Sequence, residues 1–177
     1  MLRTTRLSAL RNFSSSARAF LQAGDSIPSV STLREGSPGN EVDLAELTKS
    51  GKSIIVGVPG AFSPACSASH VPGYINNLEK FESKGYKVFV TGVNDSFVFK
   101  AWAESLNAPE SVRFIADPSG DFAKASDLAI DASKFFGGVR AKRFALIVDN
   151  GEVVKQLDEP DNFSVNVSSA ENVLKEI

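Results

Sequence analysis

Apolar runs that alternate with helical patterns organise most of the chain. Residues 53–58 are nearly all apolar, which is typical of a central strand buried on both faces of a sheet. Further strands are predicted at residues 86–93 and 112–116. Apolar residues also recur with helical spacing over residues 64–83 and 96–106, and this pattern predicts two helices between the strands.

The first of these helices is not expected to be continuous. Pro72 and Gly73 lie within it, and we expect them to kink or split it, because proline lacks the N–H group that a helix interior needs. A short helix is predicted at residues 120–128. Residues 131–142, which include a Gly-Gly pair, are predicted to form a loop.

A hairpin and a final helix are predicted in the last part of the chain. An Asn-Gly pair joins the apolar residues 144–148 to residues 152–157, and such a pair favours a tight hairpin turn. Residues 168–177 are predicted to form a helix capped by Ser168, with Glu171 completing a capping box. Alternating strands and helices followed by an antiparallel hairpin predict an α/β fold with a central mixed sheet flanked by helices.

The composition fits one globular domain. Of the 177 residues, 42% are hydrophobic and 23% are charged, which is ordinary for a domain that buries its core without disulfides or metal. The single cysteine cannot form an internal disulfide, and this excludes a disulfide-rich secreted scaffold. One cysteine and one histidine do not supply the ligands of a zinc site, so we expect no metal and no cofactor.

The N-terminal segment differs from the rest of the chain. Residues 1–18 contain four arginines, several serines and no acidic residue, and their leucines and Phe13 can share one helical face. This pattern predicts a mitochondrial transit peptide at residues 1–19 and a matrix location; a short basic tail is the alternative. The segment lacks the continuous apolar run of a secretory signal, and no run elsewhere has the length of a membrane span.

The remaining body of the chain is acidic. Subtracting the four arginine charges of the leader from the formal net charge of −2 leaves a body near −6. Such a charge is a poor match for a phosphate backbone. Nucleic-acid binding is therefore not expected, and neither is insertion into a membrane.

Cys66 follows the strand at residues 53–58 and a loop that ends in Ser63 and Pro64. Ser63 suits the N-cap of the next helix, where its hydroxyl would accept a hydrogen bond from a backbone N–H, and Pro64 suits the first helical position. Cys66 would then lie in the first turn, where unpaired N–H groups and the helix dipole favour a thiolate. The alternative is that Cys66 is a small buried apolar residue, a common role for a free cysteine.

A thiolate at this position also needs a nearby cation, because a helix terminus alone stabilises an anion by only about 1 kcal/mol. Arg140, Lys142 and Arg143 are the candidates, and Arg143 is the best placed because it opens a strand. His70 lies four residues after Cys66 on the same helical face. It could act as a base, as an orienting partner of the loop, or as a packed residue with satisfied hydrogen bonds.

The spacing Pro59-x-x-x-Ser63-x-x-Cys66 resembles the Pro-x-x-x-Thr/Ser-x-x-Cys signature of the peroxiredoxins, and the surrounding GVPGAFSPACSASHVPGY resembles their type-5 subfamily. The resemblance implies a thioredoxin-like domain over residues 20–177. It also implies that Cys66 is the nucleophile and that Pro59 shields its thiolate from water. In the same way, it implies that Ser63 orients a peroxide oxygen, and it selects Arg143 as the catalytic arginine.

The activity implied by the resemblance is thiol-dependent reduction of hydrogen peroxide and organic hydroperoxides through a sulfenic acid at Cys66. Some type-5 members have a resolving cysteine near the chain end, but residues 166–168 hold none. The resemblance therefore implies a one-cysteine cycle that an external thiol completes, either glutathione with a glutaredoxin or thioredoxin. A homodimer is expected on the same grounds.

A non-catalytic redox sensor or binding module on the same fold is the alternative hypothesis, since oxidation of one cysteine could also alter a contact with a partner. Turnover distinguishes the two, because a peroxidase cycles with excess thiol and a sensor stops near one equivalent. A thioredoxin-type disulfide reductase is disfavoured, because the chain has no Cys-x-x-Cys pair.

Overall fold

The computed structural model describes residues 21–177, so the transit peptide expected at residues 1–19 lies outside the described residues. The strands in the described range are β1 (Leu33–Glu35), β2 (Glu41–Val42), β3 (Lys52–Gly57), β4 (Tyr86–Gly92), β5 (Val112–Ala116), β6 (Ala129–Asp131), β7 (Val139–Ala141), β8 (Phe144–Asp149) and β9 (Glu152–Asp158). The helices are α1 (Leu44–Thr48), α2 (Val71–Asn76), α3 (Leu78–Ser83), α4 (Ser96–Ser105), α5 (Asp121–Ala125), α6 (Ser133–Phe136) and α7 (Ala170–Val173). A π-helical turn, Cys66–His70, precedes α2.

Seven strands form one mixed sheet in the order β2-β1-β5-β4-β3-β8-β9. The central strands β3, β4 and β5 are parallel to one another, whereas β8 runs antiparallel to both β3 and β9. Strands β6 and β7 form a separate antiparallel pair. The predicted α/β fold with a mixed sheet is therefore confirmed.

Strand β3 is buried on both faces, as its apolar run predicts. Ile54 and Val56 point into a core that also contains Trp102 of α4. Ile55 points into the opposite core, together with Phe122 of α5. Helices thus cover both faces of the sheet, and the loop that leaves the end of β3 emerges between them.

The β8–β9 hairpin turns at the predicted Asn-Gly pair. Asn150 and Gly151 have φ angles of 50° and 81°, the left-handed backbone that a tight type I′ turn requires. The pairing continues past the strand ends, because the Glu159 N–H donates to the Arg143 carbonyl at 2.9 Å. The hairpin register therefore places Glu159 directly across from Arg143.

The long helix predicted at residues 64–83 is interrupted at two places. The first lies directly before Pro72 and Gly73, where the π-helical turn Cys66–His70 gives way to α2 at Val71, in agreement with the expected kink. The second falls at Asn77, whose side-chain amide donates to the Gly73 carbonyl at 2.9 Å. That bond competes with the helical backbone pattern, and the chain restarts as α3.

The prediction that residues 131–142 form a loop was wrong. Most of this segment belongs to the β6–β7 pair and to α6, which ends where Gly137 adopts a φ angle of 75°. These elements are three or four residues long. A sequence pattern needs a longer window to show periodicity, so no signal distinguished them from a loop.

The prediction that Ser168 and Glu171 form a capping box at the last helix was also wrong. Ser169, not Ser168, caps α7, because its side chain accepts a hydrogen bond from the Asn172 N–H. Ser168 is fully buried and bonds to residues far away in the sequence. The longest helix in the described range, α4, has ten residues, and none there has the length and apolarity to cross a membrane.

Candidate active site

Cys66 lies at the start of the helical segment that follows β3 and its loop. That segment begins at Pro64, so Cys66 occupies the first turn, as predicted. Residues from Cys66 to His70 form the π-helical turn, in which the Val71 N–H bonds to the Cys66 carbonyl. Such wide turns are frequent at functional sites. The Cys66 side chain is fully buried.

Arg143 approaches the thiol from the start of β8. Its Nη1 donates a hydrogen bond to Sγ of Cys66 at 3.3 Å. Its side chain is only 2% exposed, so its charge is held away from bulk water. The other candidate cations are placed differently: Arg140 donates to the Val93 carbonyl, and Lys142 is half-buried at the next position along the chain. The geometry therefore favours Arg143 as the cation beside the thiol.

His70 joins the same group of side chains. Nη1 of Arg143 also donates to Nδ1 of His70 at 3.1 Å, and Nε2 of His70 faces the carbonyl of Ser168 at 3.0 Å. Burial, and then the Arg143 charge, lower the pKa of His70 from its ordinary 6.5 to about 3. His70 is therefore neutral at physiological pH. Because arginine can only donate, Nδ1 carries the lone pair and Nε2 carries the proton.

Ser63 does not cap the helix as expected. Its hydroxyl donates to the Gly60 carbonyl at 2.8 Å, and no backbone N–H in the described range bonds to it. The hydroxyl therefore stabilises the loop before the helix, and its lone pairs are left for another donor. Pro59 is buried in the same loop, and together with Ser63 and Arg143 it lines a cavity.

This cavity has a volume of about 400 Å³ and walls that are mainly apolar. Phe135, Phe136 and Phe163 line it together with residues of the loop before Cys66. Phe135 and Phe163 meet edge to face, with ring centroids 5.7 Å apart. Phe136 packs so closely on Gly60 that a Cβ atom there would lie 2.9 Å from its ring. The cavity therefore gives an apolar approach to the site that contains Arg143.

Residues 159–168 supply groups that the sequence analysis missed. Phe163 accepts a hydrogen bond from Nε of Arg143 at 3.0 Å, and Tyr74 donates to the Ser168 carbonyl at 2.6 Å. The buried carboxylate of Glu159 accepts from the Ser168 hydroxyl at 2.8 Å. No motif marks these residues, since they reach the site only through tertiary packing. Their one sequence signal is an acidic residue, Glu159, directly after a predicted strand, and this is too common to be specific.

The arrangement combines a nucleophile with a cation rather than with metal ligands. No cluster of three or more histidine, cysteine, aspartate or glutamate side chains suited to a metal ion occurs within residues 21–177. A buried thiol beside a guanidinium is suited to reaction as a thiolate. The cavity that Arg143 lines can admit a small oxidant.

Comparison with known proteins agrees with this chemistry. Residues 22–174 match the Redoxin family. The chain is 46% identical over 157 residues to peroxisomal membrane associated protein 20 of Schizosaccharomyces pombe, a match that covers 87% of this chain and 97% of that protein. The structure resembles reduced Prx3 of Vibrio vulnificus in complex with hydrogen peroxide, with a TM-score of 0.82, 36% identity, and coverage of 89% of this chain and 99% of that one.

A second solved structure is similar over the same region. Peroxiredoxin 5 of Alvinella pompejana superposes with a TM-score of 0.78 and 30% identity, covering 88% of this chain and 96% of that one. The thioredoxin-like architecture expected from the sequence is thus confirmed. The chain belongs to the Redoxin family and, within it, to the peroxiredoxins of type 5.

Proposed function

We propose that the thiol-dependent peroxidase activity of this peroxiredoxin resides in Cys66, with Arg143 as its activating cation. The hydrogen bond of 3.3 Å from Nη1 of Arg143 to Sγ of Cys66, between two buried side chains, carries the proposal. A guanidinium removed from water is stabilised by an adjacent anion, and in the same way it favours the thiolate over the thiol.

The ionisation of the thiol decides its reactivity. A cysteine in water titrates near pH 8.5, so only about a few per cent of it is ionised at neutral pH. The thiolate, not the thiol, is the attacking species. In this proposal the neighbouring cation interacts directly with the attacking sulfur, so neutral His70 is not needed as a general base.

The reaction follows from this geometry. Sγ of Cys66 attacks one oxygen of the peroxide, and an S–O bond forms as the O–O bond breaks. Sulfur loses two electrons to the peroxide, Cys66 becomes a sulfenic acid, and the leaving oxygen takes up the proton that the thiol released and departs as water or an alcohol. Nη2 of Arg143 makes no hydrogen bond to any residue in the described range and can stabilise charge on the leaving oxygen.

Ser63 and Pro59 complete the site in this proposal. The Ser63 hydroxyl directs its proton to the Gly60 carbonyl, so its lone pairs can accept a hydrogen bond from the peroxide O–H. Pro59 has no N–H to hydrate and is buried at the cavity wall, so it limits access of water to the thiolate. His70 acts as the orienting partner of Arg143.

Both hydrogen peroxide and organic hydroperoxides are proposed substrates. Hydrogen peroxide is the molecule named in the complex of the Vibrio vulnificus relative. The apolar walls of the cavity, which include Phe135 and Phe163, can contact the alkyl part of a larger hydroperoxide.

An external thiol is proposed to regenerate the enzyme. The sequence contains one cysteine, so the sulfenic acid cannot form a disulfide within the chain. One thiol would condense with the sulfenic acid to a mixed disulfide and release water, and a second would reduce that disulfide and return the Cys66 thiol. Glutathione with a glutaredoxin, and thioredoxin, are the candidate reductants.

Peroxide consumption tests the proposed role of Cys66. Stopped-flow mixing of the reduced chain with hydrogen peroxide should consume one thiol per chain and form a sulfenic acid, and excess thiol reductant should sustain many turnovers. The Cys66→Ser variant should not react. A second-order rate no faster than that of free cysteine would exclude a peroxidase, and reaction that stops after one equivalent would favour the sensor hypothesis.

Two substitutions at Ser63 supply matched variants for the same assay. Ser63→Thr keeps the hydroxyl and should keep the rate. Ser63→Val places a side chain of about the size of threonine there but removes the hydroxyl, and it should slow the reaction by about tenfold or more. If the valine variant retained full activity, the proposed role of the Ser63 hydroxyl would be wrong.

The low pKa of His70 predicts acid lability of the fold. The His70 side chain binds a proton near pH 6.5 in the unfolded chain but only near pH 3 in the folded protein. The unfolded state therefore binds more protons in this window, so the free energy of unfolding falls as the pH falls from about 6.5 toward about 3. The loss should be about 2 kcal/mol by pH ~5.

Urea unfolding at a series of pH values measures this loss. His70 is the only histidine, so the His70→Asn variant has no histidine titration and should lose less stability over the same interval. Burial raises the pKa of Asp117, so this group binds a proton more readily in the folded state than in the unfolded state. Near the lower end of the pH interval it therefore increases the free energy of unfolding as the pH falls, opposite to His70. Parallel pH profiles for the two proteins would contradict the assignment.

A mitochondrial location remains a proposal that rests on the composition of the leader. Its four arginines, serines and absence of acidic residues support it. Residues 1–20 fused to a fluorescent protein should direct it to mitochondria. Diffuse fluorescence would support the basic-tail alternative, and peroxisomal fluorescence would also exclude the proposal.

A homodimer is likewise proposed. Phe62 and Phe97 are 55% and 66% exposed, and large exposed aromatic side chains are typical of surfaces that bind another protein. Sedimentation equilibrium at micromolar concentration should give twice the chain mass of 18.9 kDa. A species of 18.9 kDa alone would show that the protein is a monomer under those conditions.

A further inference from the structure

Glu159 is a buried carboxylate that the proposed reaction does not use. It is 1% exposed, and its Oε1 accepts three hydrogen bonds: from the Asn166 N–H at 2.7 Å, the Ser168 N–H at 2.9 Å and the Ser168 hydroxyl at 2.8 Å. Its Oε2 is buried with no hydrogen-bond partner in the described part of the chain. A neutral amide could serve these donors, so a buried carboxyl group with one unpartnered oxygen calls for another explanation.

A chain of hydrogen bonds leads from this carboxylate to the thiol. The Ser168 hydroxyl donates to Glu159, so both oxygens of Ser168 present lone pairs to Nε2 of His70, at 3.0 and 3.1 Å. Nδ1 of His70 is thereby left as an acceptor for Nη1 of Arg143 at 3.1 Å. The second hydrogen of the same Nη1 reaches Cys66.

The chain of bonds also restricts where Arg143 can move. Glu159 holds the backbone of residues 166–168, and the same loop accepts a hydrogen bond from Nε of Arg143 through the Phe163 carbonyl at 3.0 Å. The guanidinium is therefore held at Nε by Phe163, in the middle of the loop, and at Nη1 by His70, which bonds to Ser168 at the end of the loop.

We propose that Glu159 is a positioning residue of the peroxidase reaction, which through Ser168 and His70 holds Arg143 against the thiolate of Cys66. This inference rests on the proposed function, because it assigns Glu159 a role in holding Arg143 beside Cys66. Only an acceptor can occupy the position of Oε1, and a charged acceptor binds its donors more strongly than a neutral one.

Two other roles make different predictions. If Glu159 acted only as a nearby negative charge, it would disfavour the thiolate, and any substitution that removes the charge would shift the titration of Cys66 to lower pH. If it served only to stabilise the fold, substitutions would lower the unfolding temperature and leave the titration unchanged. Positioning predicts a shift to higher pH, because Arg143 is released from the thiolate.

Glu159→Gln and Glu159→Ala separate these roles. Glutamine keeps one neutral acceptor but places an amide N–H₂ at the buried Oε2 position, whereas alanine removes the acceptor altogether. Thiolate ultraviolet absorbance measured against pH should show the midpoint moving to higher pH in both variants, and further in the alanine variant. The second-order rate with hydrogen peroxide at neutral pH should fall by about 10- to 100-fold for alanine and less for glutamine, as for other residues that orient an active-site group.

Asp117→Asn is the matched control. Asp117 is another carboxylate that is 1% exposed, but it accepts hydrogen bonds from the N–H groups of Asp121 and Ala123 and does not contact the site. This variant should lower stability and leave both the titration and the rate unchanged. Circular dichroism of each variant confirms that the fold is retained, and Glu159→Gln decides the question if the alanine variant does not fold.

The outcomes distinguish this proposal from the proposed function. Wild-type protein that does not react rapidly with peroxide would overturn the function itself. Rapid wild-type reaction with an unchanged midpoint in the Glu159 variants would overturn the positioning role alone. So would a shift to lower pH of equal size in both variants, because that result identifies Glu159 as a charge and nothing more.

Discussion

The structure depends on a buried guanidinium that is bonded to a buried thiol. Arg143 cannot lose its proton, and taking its charge out of water is expensive unless anions and acceptors surround it. The fold meets this requirement with three groups from two segments: the π turn supplies Cys66 and, four residues later, His70, and the loop after β9 supplies the Phe163 carbonyl. Alone in the core, the buried charge of Arg143 would be destabilising. Beside Cys66, the same charge favours a thiolate.

A single nitrogen atom of Arg143 contacts both the reacting thiol and the histidine that positions the guanidinium. Nη1 divides its two hydrogens between Sγ of Cys66 and Nδ1 of His70, so the geometry of one bond constrains the other. Because His70 is neutral, it accepts from the arginine without competing for the negative charge of the thiolate. A protonated histidine at this position would repel Arg143, and the burial that lowers its pKa prevents that state. The burial of His70 is therefore part of the site rather than a consequence of packing alone.

The sequence predicted the features that depend on neighbouring residues. The apolar run of β3, the Asn-Gly hairpin and the placement of Cys66 in a first helical turn all follow from local patterns, and the structure has each of them. Local patterns left Arg140, Lys142 and Arg143 as alternatives, and only the resemblance to a family selected Arg143. Ser168 was predicted to be a helix cap, because a serine before a helix usually is one. Its actual partners, Glu159 and His70, are 9 and 98 residues away, and no local rule could find them.

The single cysteine gives this arrangement a further consequence. In the proposed cycle no second cysteine in the chain awaits the sulfenic acid, so Cys66 has no need to leave its place in order to form an internal disulfide. The bonds that hold Arg143, His70 and the loop at residues 159–168 can then persist through oxidation and reduction. The reductant must come to the sulfur. Because Cys66 is fully buried and does not line the apolar cavity that Arg143 and Phe163 share, groups around the sulfur must move to admit an external thiol.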